Sequence, residues 1–124
     1  MSNAVILYIE DNIATLEMMR RILRMGNYRM LEAHTAKEGL EVIEREPPDL
    51  ILMDINLPGE MTGLEAVDYL KRHPQYSAIP IVAVTANAMY GDRERYLDAG
   101  CDGYLAKPIS KVELLNTLST LLNS

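Results

Sequence analysis

A single cysteine, Cys101, stands in this chain of 124 residues, so no internal disulfide can staple the fold. Placed beside Gly100, it reads as a structural residue rather than a reactive one. No apolar run approaches the roughly 18 residues of a membrane span, and the first residues lack the basic and then apolar regions of a signal peptide. The expected compartment is therefore the cytoplasm. Basic residues are few, 12 against 18 acidic, and the net charge of −6 opposes binding to a phosphate backbone. Pro/Gly-rich linkers and internal repeats are also absent, which leaves one domain over residues 1–124 with a core from about 5 to 122. A chain of this size buries about two thirds of its unfolded surface, enough for one core without a metal or disulfide.

What is present is a rhythm. Val5–Ile9, Leu50–Met53 and Ile79–Val84 are short apolar runs, too short for ordinary helices and rich in β-branched residues, and they read as buried strands. Tyr28–Ala33 and Tyr104–Ala106 are weaker candidates of the same kind.

Helical spacing fills the intervals. Asn12 is placed to cap a helix carrying Leu16, Met19 and Leu23, which Gly26 and Asn27 end. Thr35 with Glu38 predicts a capping box, and Pro47-Pro48 stops that second helix. Leu64, Val67 and Leu70 mark a third, ended before Pro74, and a fourth is expected from about Met89 to Ala99. Ser110 with Glu113 predicts another capping box before Leu114, Leu115, Leu118, Leu121 and Leu122. Met18, Met19 and Met25 read as core filler. Five βα units imply an α/β domain, a doubly wound parallel sheet with helices on both faces.

In such a sheet the working groups gather beyond the carboxyl ends of the strands. Strand 1 is followed by Glu10-Asp11, strand 3 by Asp54, strand 4 by Thr85 and strand 5 by Lys107, so all five polar residues fall at that edge. Three converging carboxylates repel one another unless a cation sits among them. An all-oxygen donor set suits Mg²⁺, with Mn²⁺ as the substitute, whereas His34 and His73 lie on the wrong segments for zinc. Lys107 and the Thr85 hydroxyl add a positive charge and a donor, and the component missing from this set is a phosphoryl group. No Gly-rich nucleotide loop follows strand 1.

The ordered set of Glu10-Asp11, Asp54, Thr85 and Lys107-Pro108 on five βα units resembles the receiver domains of bacterial two-component response regulators, over about Val5 to Leu122. The resemblance implies a flavodoxin-like sheet of strand order 2-1-3-4-5. It implies that Asp54 takes a phosphoryl group from a phosphohistidine of a sensor histidine kinase or phosphotransfer protein, in a phosphorelay. Asp11 and Asp54 would then ligate Mg²⁺ directly, Glu10 would act through water, and the carbonyl of Asn56 would complete the protein ligands. Thr85 and Lys107 would bond phosphoryl oxygens, with Lys107-Pro108 a cis peptide. Tyr104 corresponds to the switch aromatic that works with Thr85, Ala86 to the small residue by the pocket, and Asn56 and Asn87 to positions that tune the lifetime of the acyl phosphate. Helix 4, strand 5 and helix 5 would carry the output to a downstream protein or to a second copy.

One departure stands out. Four residues, Gly59, Glu60, Met61 and Thr62, separate Pro58 from Gly63 where the family usually has three. On this reading the chain is a switch that modifies itself, not a turnover enzyme. The alternatives are an aspartyl-phosphate phosphatase, for which Asn56 stands where a second aspartate belongs, a flavin module, for which strand 1 lacks the phosphate loop, and an adaptor that has lost phosphorylation. Whether the domain stands alone or is cut from a hybrid kinase is open at this level.

Overall fold

The computed structural model describes residues 3–55, 57, 59–86 and 92–122. Among them the chain runs β1 (Val5–Ile9), α1 (Ile13–Met25), β2 (Arg29–Ala33), α2 (Ala36–Arg45), β3 (Leu50–Asp54), α3 (Gly63–Arg72), β4 (Ile81–Thr85), α4 (Asp92–Asp98), β5 (Gly103–Ala106) and α5 (Lys111–Leu122). The strands form one parallel sheet in the order β2-β1-β3-β4-β5, as the resemblance implied. No helix among the described residues is long and apolar enough to cross a membrane.

Strand boundaries follow backbone hydrogen bonding more closely than hydrophobicity. Residue 28 was expected inside the second strand, but the Tyr28 N–H is given to the Leu23 carbonyl (2.9 Å) at the end of α1, and pairing starts at Arg29. Ile79 was expected in the fourth strand. Its carbonyl instead accepts from the Lys71 ammonium at 3.1 Å, and Pro80 has no N–H to offer a ladder.

The helices are closed by side chains. Asn12 accepts from the Thr15 N–H (2.9 Å), and Thr35 and Ser110 accept from the N–H groups of Glu38 and Glu113. A reciprocal box that the sequence reading passed over starts α3: Glu65 N–H bonds the Thr62 hydroxyl, and the Glu65 carboxylate takes the Thr62 N–H. Asn27, with φ of 64°, turns the chain out of α1 in the left-handed region that asparagine tolerates. Of the fourth helix, expected from Met89, the described part begins at Asp92; Met89 lies outside the described residues.

Two cores lie on the two faces of the sheet. Leu7, Ile9, Ile51, Met53, Ile81 and Ala83 pack with residues of α2 and α3 and with Tyr96 of α4. Ile6, Tyr8, Leu50, Leu52, Val82, Val84 and Leu105 pack with α1 and α5. Alternation along each strand thus sorts every side chain to one face or the other. Of the three methionines read as core filler, only Met19 is buried. Met18 and Met25 are exposed, because the buried stripe of α1 is Leu16, Met19 and Leu23 and positions 18 and 25 lie off it. Cys101 is buried, and burial together with the neighbouring Asp102 carboxylate pushes its thiol up to about 11, so it stays protonated at neutral pH.

Gly63 fixes how α3 meets the end of β3. A Cβ there would stand 2.9 Å from both the Asp54 carbonyl oxygen and the Ile55 Cα, backbone atoms that cannot swing aside. Gly63→Ala should therefore lower stability by about 2 kcal/mol through overpacking, where a helix-interior Gly→Ala would ordinarily raise it. Urea unfolding checks the sign; an unchanged or higher midpoint would show that β3 and α3 can part without loss.

Candidate functional site

β1, β3, β4 and β5 end on the same edge of the sheet, and the candidate residues sit on those ends. Glu10 follows β1, Asp54 and Thr85 are the last residues of β3 and β4, and Lys107 follows β5. Glu10, Asp54 and Thr85 are the three buried polar residues of the described chain, 1%, 3% and 0% exposed, while Asp11 is exposed. One carboxylate oxygen from each of Glu10, Asp11 and Asp54 lies within 4.8 Å of the others.

Like charges so close need a counter-charge, and Lys107 supplies it. Its ammonium donates to Glu10 Oε1 at 2.6 Å and to Asp54 Oδ2 at 3.1 Å. Burial works to raise the Glu10 carboxyl, but the Lys107 bond and the Asn12 N–H on Oε2 (3.1 Å) outweigh it and hold the group below the usual carboxylate value. Burial works to lower the Lys107 ammonium, and its bonds to Glu10 and Asp54 reverse that, holding it above the ordinary lysine value. The backbone joins in, since the Lys107 N–H donates to the Thr85 carbonyl at 2.8 Å. The Lys107-Pro108 peptide is cis.

One contributor was missed in the sequence. Tyr8, fully buried, donates its phenol to Glu10 Oε1 at 3.1 Å, and burial followed by the Glu10 charge keeps that phenol protonated far above its ordinary range. The signal was there: Tyr8 precedes Glu10 by two residues on a strand, which puts both on one face.

Tyr104 is not part of this cluster. It packs on the opposite face of the sheet, stacked on Tyr96 of α4 with ring centroids 5.7 Å apart and planes 22° from parallel. Thr85, two residues past Ala83 on β4, belongs to that same face. His34 and His73 are not members of the acidic cluster found among the described residues. The first lies 3.8 Å from Glu38, and the second stacks on Tyr76 at 4.5 Å. Asn56, Pro58 and Asn87 lie outside the described residues. In the longer loop Gly59 has φ of 107°, a conformation glycine adopts without strain, and Thr62 ends the loop as the α3 cap.

The set offers hard oxygen donors for a divalent cation, a cationic side chain beside them and a buried carboxylate, Asp54, bonded to that side chain. Comparison with known proteins agrees with this chemistry. Residues 6–119 match the family model described as the response regulator receiver domain. The chain belongs to that family. It is 38% identical over 117 residues to the polar-differentiation response regulator DivK of Brucella ovis, covering 94% of each chain. Among solved structures it resembles a putative response regulator of Chloroflexus aurantiacus (TM-score 0.93, 28% identity, 99% of this chain and 100% of that one). It also resembles the receiver domain of a Pseudomonas aeruginosa sensor histidine kinase (TM-score 0.89, 35% identity, 99% and 100%), which carries a magnesium ion in its active-site cleft. The protein is thus a receiver domain of two-component signalling, and its acidic cluster fits a metal site.

Removing Lys107 from the metal-free receiver should expose the repulsion it offsets. With a chelator present at pH 7, Lys107→Met should lose about 2 kcal/mol, less than a fully enclosed ion pair because the lysine is a quarter exposed (24%), and Glu10→Gln in the same chain should restore most of it. The sign follows from the shifts. Glu10 is lowered, so its share is present above the usual carboxylate value and lost as pH falls through its folded value; Lys107 is raised, so its share is lost as pH climbs past the ordinary lysine value. The gap between wild type and Lys107→Met should close at both ends, and a gap independent of pH would contradict the ion-pair account.

Proposed function

We propose that this receiver domain takes a phosphoryl group onto Asp54 from a phosphohistidine of a partner kinase or phosphotransfer protein, with Mg²⁺ bound, and signals through the α4-β5-α5 surface. The observation that carries the reading is the Lys107 ammonium held between Glu10 and Asp54 at the edge where three carboxylates meet. That arrangement puts a cation beside the Asp54 carboxylate, where charge on an incoming phosphoryl group would need one.

Asp11 and Asp54 would hold the cation directly, with the Asn56 carbonyl as the further protein ligand that the family resemblance implies. Glu10 stands behind them, tied to its donors. When bound, Mg²⁺ supplies positive charge against both the carboxylates and the incoming phosphoryl oxygens. An Asp54 carboxylate oxygen forms the new O–P bond as the P–N bond of phosphohistidine breaks, and the electron pair of that bond leaves on the imidazole nitrogen. Lys107, already 3.1 Å from Asp54, neutralises charge on a phosphoryl oxygen, and the Thr85 hydroxyl donates to another.

The output follows from which face each residue occupies. Thr85 and Tyr104 belong to the α4 side of the sheet, and Tyr104 rests on Tyr96 of α4. Drawing Thr85 toward a phosphoryl group opens space above Ala83, the register partner of Tyr104, and a turn of Tyr104 into it loosens the stack that seats α4. The domain is a switch without a separate substrate to turn over.

A small phosphodonor should add one labile group of about 80 Da, sensitive to hydroxylamine, only with a divalent cation and not in Asp54→Asn. Asp11→Ala should weaken Mg²⁺ binding at least about tenfold, by removing a charged ligand from the cation. Stable labelling of a serine or threonine with Asp54 unmodified would end the proposal. For the output, backbone NMR with a phosphoryl mimic should show shifts spreading from Thr85 to Tyr104, Tyr96 and α5. The distant part should shrink in Thr85→Ala; shifts confined to the neighbours of Asp54 would show that this face is not the switch.

A further inference from the structure

Glu10 is almost wholly buried and still carries three donors: the Tyr8 phenol and the Lys107 ammonium on Oε1, and the Asn12 N–H on Oε2. These donors differ in what else they do. The Asn12 N–H is fixed by the start of α1, and the Tyr8 phenol rises from inside the sheet. Lys107 is shared, reaching Asp54 as well. Tyr8 sits in a cluster otherwise aliphatic at its centre, among Ile6, Leu16, Leu50 and Leu52, where phenylalanine would fill nearly the same space. A hydroxyl placed there must be bonded, and its bond goes to Glu10 alone among the bonds seen for it.

We propose that Tyr8 is a positioning residue of the phosphoacceptor site: it anchors Glu10 from below, so that Lys107 can shift toward an incoming phosphoryl group without stranding a buried carboxylate. The inference rests on the proposed function for its consequence, though its first step concerns the resting protein alone. In that resting state Oε1 has two donors. When Lys107 turns to a phosphoryl oxygen, Oε1 keeps the phenol and Oε2 keeps the Asn12 N–H, so Glu10 stays ionised and aimed at the cation site. With phenylalanine at position 8, Lys107 is the sole remaining donor seen on Oε1. Moving it then leaves a charged oxygen buried and unsatisfied, and the phosphorylated arrangement is disfavoured relative to the resting one.

The test compares wild type, Tyr8→Phe, Glu10→Gln and the double variant. The Lys107 side-chain NMR signals are read without metal. Affinity for beryllofluoride, a phosphoryl mimic, and the rate of modification by a small phosphodonor are read with Mg²⁺. Tyr8→Phe should move the Lys107 signals and weaken mimic binding about tenfold, the worth of one hydrogen bond to a buried carboxylate. In the Glu10→Gln background the same change should alter binding less than about twofold, because the effect passes through Glu10. Equal losses in both backgrounds would assign Tyr8 to packing, and unmoved Lys107 signals with wild-type affinity would dismiss the role altogether; either overturns the inference. If wild type neither binds the mimic nor takes a phosphoryl group, the proposed function fails by itself, and the Lys107 signals still decide whether Tyr8 fixes the Glu10–Lys107 pair.

Discussion

Everything at the working edge of this receiver answers one electrostatic constraint: carboxylates that repel one another are held within 4.8 Å where two of them are buried. Lys107 offsets that repulsion, and it comes from the far side of the sheet. In the order β2-β1-β3-β4-β5, the strand bearing Lys107 is separated from Asp54 by β4 and from Glu10 by β4 and β3. A long unbranched side chain is what spans that distance. The Lys107 N–H bond to the Thr85 carbonyl sets where the stem starts. A shorter residue at 107 would leave both carboxylates without their cation.

The period of two along a strand then divides the labour between the faces. Tyr8 and Glu10 along β1 and just past its end, Leu52 and Asp54 on β3, and Leu105 and Lys107 along β5 and just past its end are pairs two residues apart, and their first members all lie in the core shared with α1 and α5. Thr85 and Tyr104 follow the other parity and belong with α4. The charged cluster and the Thr85–Tyr104 pair are therefore neighbours in sequence but occupy opposite sides of one sheet. Their link is short: the carbonyl of Thr85 holds the N–H of Lys107, so a change at either residue is felt at the other.

Much of this was legible before any coordinates. The central strands β1, β3 and β4 are apolar runs because they are buried on both faces, and Glu10, Asp11, Asp54, Thr85 and Lys107 stood out because each ends or follows a strand. Boundaries were less legible, since the start of β4 depends on the Lys71 ammonium taking the Ile79 carbonyl from 8 residues away. Met18 and Met25 misled because methionine suits a core and a surface alike, and only the angle around α1 separates them from Met19. Tyr8 was passed over because a tyrosine within a hydrophobic strand reads as filler. Its meaning lies in a hydroxyl whose partner is visible only once Glu10 is known to be buried.

Burial also explains why two adjacent acids are not interchangeable. Glu10, 1% exposed, has its desolvation offset by donors on both oxygens, so handing an oxygen to a cation would break bonds that keep it ionised. Asp11 is exposed and has its hydration to exchange for a metal, an exchange that costs little beyond the water it releases. On the proposed function, the longer side chain thus serves as a fixed anion behind the site and the shorter, solvated one as the ligand at its mouth. Interchanging the two would put the hydrated group where no water reaches and the bonded group where its donors cannot follow, so the order Glu10-Asp11 carries information that the count of acids does not.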